Sequence, residues 1–164
     1  LFIAEFFTGS VLRHYTNSTA SGGTTVLANL MVFIPLLIGA GGNTGSQVTT
    51  TITRALAVGD VRPRDAFLVM QREVLVALAI GVTLGTVGYL RAMMWGAGTG
   101  ISLTVGCALP AIILWAAAVG SLLPLGAKRL GFDPAVMRAP FITTFVDATG
   151  LIIYFEIARR TVGF

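Results

Sequence analysis

Residues 134–158 form an apolar run long enough to cross a bilayer, and TTFVDATG (143–150) sets Asp147 near its middle. A hydrocarbon core of about 30 Å takes roughly 20 helical residues to span. A carboxylate at the centre of such a helix costs about 2.5–3.5 kcal/mol even on lenient insertion scales. No Lys or Arg lies within a helical turn on either side of Asp147. The rest of the chain must therefore supply either a buried partner or a wet cavity at mid-membrane depth.

Composition puts the whole chain in the membrane. Of 164 residues, 55% are hydrophobic and only 11% charged, whereas a soluble domain carries about 25% charged residues. The expected fold is an all-α membrane protein with five transmembrane helices, the first incomplete, forming a single transmembrane domain over residues 1–164. The opening LFIAEFFTGSVL reads as the second half of an apolar helix, without a signal peptide.

The net charge of +4 follows from helix orientation rather than from nucleic acid, because no basic patch is interleaved with aromatics. One side collects Arg54, Arg62, Arg64, Arg72, Lys128, Arg129 and Arg138, and the other Arg13, Arg91, Arg159 and Arg160. The positive-inside rule places the first set in the cytoplasm and the C-terminus outside.

In chain order, a first helix ends at Arg13 and His14, and a small polar loop follows (NSTASGGT, 17–24). A second apolar segment from residue 25 to about 38 runs into GAGGNTGSQ (39–47). Four glycines in seven residues make poor helix at roughly 1 kcal/mol each relative to Ala. Two readings stand: a close-packing surface or a kink, or an open backbone exposing carbonyls beside Asn43 and Gln47. AVGDVRPRD (57–65) is the clearest hydrophilic loop, with Asp65 at an N-cap position before a third helix over 66–94. Gly81, Gly85 and Gly88 give that helix a small-residue face for close approach of a neighbour. A fourth helix, 101 to about 127, contains Pro110, where a kink is expected. In GFDPAV, Gly131 suits a C-cap, Asp133 an N-cap and Pro134 the first helical turn of the fifth helix.

Three- and four-residue steps put Pro140, Thr143, Thr144, Asp147, Gly150 and Tyr154 on one small, polar face of that last helix. Asp147 lies about 20 Å along the axis from Asp133 and about 18 Å from Arg159. Two chemistries fit it: a protonated acid hydrogen-bonded to a neighbouring helix, or an ionised cation ligand. Glu73 lies near the cytoplasmic interface, and Glu5 and Glu156 near the outer one, where solvation accounts for them. His14 has no companion ligand type nearby, and the lone Cys107 sits in an apolar run as a buried packing residue. With no nucleophile–base pair, HExxH or CxxC, an enzyme is not expected, and a cation pathway is.

PLLIGAGGNTGSQVTTTITRALAVGDV (35–61) and LGFDPAVMRAPFITTFVDATGLIIYF (130–155) together resemble the membrane domain of the MgtE magnesium channel family, which has relatives among animal carriers. The resemblance covers nearly the whole chain. It implies a homodimer of five-helix protomers in the lipid bilayer of the cell membrane, with a pore on the two-fold axis between the second and fifth helices. It further implies that the Asp147 carboxylates of both subunits hold a largely hydrated Mg2+ ion, the transported species. Thr143, Thr144, Asn43 and Glu73 would serve the cation with Asp147. Gly39, Gly41, Gly42, Gln47, Pro140 and Gly150 would line its path. The family's N-terminal regulatory domain, CBS pair and connecting helix have no counterpart in these residues. Ala139 replaces a family asparagine and Thr143 a small apolar residue. A Mg2+ exchanger working by alternating access, or a scaffold with a protonated Asp147, are the competing readings.

Overall fold

The computed structural model describes residues 2–17, 24–133 and 139–163. Its α-helices are α1 (Phe2–Asn17), α2 (Thr24–Met31), α3 (Ile34–Val58), α4 (Ala66–Met94), α5 (Thr99–Arg129) and α6 (Ala139–Val162), with a short 3-10 turn at Pro63–Asp65. Four spans are long and apolar enough to cross a membrane: α2 with α3, then α4, α5 and α6. The described part of α1 is 16 residues, shorter than a full crossing needs. An all-α membrane protein follows. The loop residues 18–23, Pro134 and Arg138 lie outside the described residues.

The interior is built around α5, which is buried along its length from Ile101 to Ala127 and packs against α3, α4 and α6. By contrast, α4 buries only Ala77, Gly81, Gly85, Gly88 and Ala92, while Leu75, Leu78, Val82, Val87 and Leu90 are exposed. Such an inversion suits lipid, where large apolar side chains face the solvent and small ones let backbones approach. A Cβ on Gly81 would stand 2.9 Å from Pro110 Cα, and one on Gly85 2.6 Å from the Gly106 carbonyl oxygen. The small-residue face expected on this helix is the α4–α5 seam.

The GAGGNTGSQ segment is not open backbone. It is continuous helix within α3, so the reading with exposed carbonyls is corrected in favour of close packing. A Cβ on Gly41 would meet Ile112 Cγ2 at 2.6 Å, and one on Gly45 would meet Ile142 and Val146 at 3.1 and 3.2 Å. Contacts with α5 and α6 offset the poor helix propensity, and with no water in the hydrocarbon core to compete for backbone groups, helix is the satisfied state.

The real break lies earlier. Regular helical hydrogen bonding lapses at Val32 and Phe33, between α2 and α3, where the Phe33 N–H bonds three residues back to Leu30. Pro35 accounts for it, since its ring clashes with the carbonyl four residues back, at Met31, and it offers no N–H to bond there.

The ends of α4 and α5 are closed by the same motif. Gly96 donates to the Met93 carbonyl and Ala97 to Ala92; Gly131 donates to Lys128 and Phe132 to Ala127. Both glycines take the positive φ this motif requires, 72° and 81°. Asp65 does stand at the N-cap of α4, yet its carboxylate caps the preceding turn instead, accepting from the Arg62 N–H at 3.0 Å. At Pro110, where a kink is expected, α5 stays continuous, as it does at Pro124, and Cys107 on the same helix is exposed rather than buried.

Candidate functional site

Asp147 is half-buried on α6, and its Oδ1 is shut off from solvent without a hydrogen-bond partner. It faces α3 at Gly42, where an added Cβ would lie 2.8 Å from that oxygen and 3.6 Å from Thr143 Cγ2. Only glycine leaves room for the carboxylate here. Gly42, Thr143 and Asp147 thus form the contact at the middle of both helices.

Thr143 and Thr144 both donate their hydroxyl protons to the Pro140 carbonyl, at 3.0 and 2.9 Å. Their remaining lone pairs are acceptors, the polarity required by water whose oxygens coordinate a cation and whose hydrogens point outward. Pro140 itself is exposed.

Other expected residues fall into separate places. Gly41 and Gly150 converge on Ile112 of α5 from opposite helices, which makes them packing residues within one chain. Gly39 is open, with nothing near its Cα face. Asn43 and Gln47 are exposed, and Thr50 and Arg54 continue the same line at three- and four-residue steps. A polar stripe exposed along an apolar span must meet water or another chain. Gln47 and Glu73 both line a groove of about 190 Å³ between α3 and α4, together with Thr44 and Thr51.

Tyr154 does not belong with the polar face. It is fully buried and donates to the Leu30 carbonyl at 2.9 Å. Sequence reasoning also missed Trp115, whose indole N–H donates to Thr149 Oγ1 at 2.8 Å and ties α5 to α6 beside the acid. It missed Thr49, which donates to the Gly120 carbonyl at 3.1 Å where α3 and α5 touch. Neither pair shares a helix, so no spacing rule finds it. Among the described residues, no three of His, Cys, Asp and Glu gather in one cluster.

A bundle of lipid-facing helices with an acid at a mid-span helix contact defines a multi-pass membrane protein with an intramembrane polar site. The MgtE family, described as divalent cation transporters, matches residues 34–157, and the chain belongs to that family. It is a family of transporters, not enzymes.

Three relatives are each called magnesium transporter MgtE. The Thermus thermophilus protein is 39% identical over 147 residues, covering 88% of this chain and 32% of its own length. The Enterococcus faecalis protein is 34% identical, covering 92% and 32%. The Bacillus subtilis protein is 25% identical, covering 96% and 34%. The chain spans about a third of the length of these curated relatives.

Proposed function

We propose that this chain carries divalent cations, magnesium foremost, across the cell membrane by a channel-like path in which Asp147 holds the hydrated ion. The observation that carries the reading is the half-buried Asp147 carboxylate, with no protein donor to its buried Oδ1. Mg2+ sheds its water reluctantly and is commonly held by one or two carboxylates with several waters kept. One carboxylate flanked by acceptor hydroxyls suits an ion in that state.

The exposed stripe Asn43, Gln47, Thr50, Arg54 gives the second half of the proposal. It finds cover if two copies meet across a two-fold axis and enclose water between their α3 and α6 helices. Each copy then contributes one Asp147, and the pair supplies two negative charges to the ion. The end carrying Arg54, Arg64, Lys128 and Arg129 is cytoplasmic in this arrangement.

The full-length protein, crystallised with Mn2+ as an anomalously scattering substitute for Mg2+, tests it. One anomalous peak on the two-fold axis between paired Asp147 carboxylates is the expected result. A peak elsewhere, or a monomer, would sink the proposal.

Asn43 and Glu73 flank the path on the cytoplasmic side of Asp147 without touching its carboxylate. Asn43→Ala and Glu73→Ala should each reduce Mg2+ flux into vesicles severalfold while the protein stays folded. Wild-type flux in both variants would return Asn43 and Glu73 to ordinary interfacial residues.

A further inference from the structure

Tyr154 joins three features: the broken helix, the buried core of the outer half and the helix that bears Asp147. We propose that Tyr154 is a positioning residue for the cation site, acting through the α2–α3 break, an inference that rests on reading Asp147 as that site.

The break leaves the Leu30 carbonyl with two donors from outside regular helix. Phe33 N–H reaches it at 3.1 Å across the turn, and the Tyr154 hydroxyl reaches it at 2.9 Å from α6. Leu30, Phe33 and Tyr154 are all buried, and they pack in one cluster with Leu37 and Phe155. A phenol buried there has to find an acceptor, and the Leu30 carbonyl, at the edge of the break, accepts it on the lone pair that Phe33 leaves open.

Tyr154 follows Asp147 by seven residues, two turns or about 10 Å further toward the outer end on nearly the same face of α6. Phe33 precedes Gly42 by nine residues, about 13 Å in the same direction along α3. Two of the attachments that fasten the broken helix to α6 bear on the acid. One is Tyr154 to Leu30, and the other is the Gly42 contact with Asp147. The outer attachment fixes the angle at which α3 leaves the break, and that angle sets the gap between Gly42 and the carboxylate. An Oδ1 atom only 2.8 Å from a would-be Cβ responds to shifts of a few tenths of an ångström. Broken helices at membrane depth are where other transporters build their ion sites; here the acid stands on the neighbouring helix, and the break governs its spacing.

The readout is preference between ions, which general loss of stability does not alter. Mg2+ and Ca2+ flux is measured for the full-length protein in lipid vesicles, with wild type and Tyr154→Phe, Pro35→Ala, Thr161→Val and Asp147→Asn compared. Ca2+ is larger and accepts looser geometry than Mg2+, so a relaxed gap shifts the ratio toward it. Tyr154→Phe deletes one hydroxyl and should change the Mg2+/Ca2+ flux ratio by roughly three- to tenfold, the range one hydrogen bond covers. Pro35→Ala restores an N–H at the break and should also shift the ratio. If Tyr154→Phe does not fold, Pro35→Ala decides the question. Thr161→Val removes the 2.6 Å hydroxyl contact with Thr104, another link between helices, and should keep the wild-type ratio. A wild-type ratio in Tyr154→Phe and Pro35→Ala, or an equal shift in Thr161→Val, overturns the inference. Flux surviving in Asp147→Asn overturns the site reading instead, so the two failures are distinct.

Discussion

Asp147→Asn should reduce Mg2+ flux by about a hundredfold or more while the protein keeps its fold and assembly. The substitution preserves size and swaps a formal charge for an amide. A divalent ion held through water about 5 Å from a carboxylate gains roughly 6–7 kcal/mol at an effective dielectric near 20. Ion and acid both lose hydration on meeting, so the net is smaller. Yet a residual of about 2.8 kcal/mol is already a hundredfold in occupancy. Stability should move the other way or not at all, because an uncompensated carboxylate at mid-membrane is itself costly and the amide removes that cost. Flux into vesicles and the thermal midpoint in the same lipid are the two measurements. Reduced flux together with collapse of the fold would assign Asp147 to packing, and unchanged flux would remove it from the path.

That pairing of lost transport with retained stability separates the cation reading from the protonated-acid alternative. A protonated Asp147 serving as a packing hydrogen-bond donor would need an acceptor, and its buried Oδ1 has no partner on α3 or α5. Its nearest neighbour across the contact is a glycine, which contributes no side chain. A group placed for packing normally sits against something it can bond.

The parts of this molecule legible in the sequence are those written along a single helix. Apolar length marks α4, α5 and α6, the spacing of Gly81, Gly85 and Gly88 marks the α4 seam, and Gly131 marks the end of α5. Asp147 declares itself because the cost of an acid at that depth depends on depth alone. What pairs helices with one another was not legible. GAGGNTGSQ leaves open backbone and close packing both standing, because propensity counts each glycine as a loss. The contacts of Gly41 and Gly45 with Ile112, Ile142 and Val146 come from residues about 70 to 100 positions away, and they reverse the sign. Tyr154 shares a face with Asp147 by periodicity and was grouped with it. Its hydroxyl instead meets the Leu30 carbonyl, on another helix at the edge of the break. Pro35 itself was a readable signal: a proline ten residues into an apolar run disrupts the helix just before it, and the break stands at Val32 and Phe33. Gln47 and Glu73 lie on helices joined by the 57–65 loop, but only the packing of α3 and α4 on α5 brings them to one groove.

Gly85→Leu should be the most damaging change to the fold. Alanine at a helical position open to solvent or lipid is better than glycine by about 1 kcal/mol, so the local backbone favours substitution. The seam opposes it. A Cβ at position 85 would stand 2.6 Å from the Gly106 carbonyl oxygen and 2.9 Å from both Pro110 Cδ and Cγ. Two of these atoms belong to a rigid ring and the third to backbone, so no rotamer change relieves the overlap. The helices must separate, and α4 has no large buried side chain to hold them when they do, since Ala77, Gly81, Gly88 and Ala92 make up the rest of its buried seam. Overpacking in a core costs about 1–3 kcal/mol and occasionally more, and a leucine forced between two backbones belongs at or above the upper end. Loss of folded, monodisperse protein, or a large fall in the thermal midpoint, is the expected outcome. Gly126→Ala provides the contrast. It is helical, and an added Cβ there meets nothing within 4 Å, so propensity acts alone and the midpoint should hold or rise slightly. If Gly85→Leu folds as well as Gly126→Ala, the α4–α5 seam is not held by backbone approach, and the glycine spacing in α4 has some other cause.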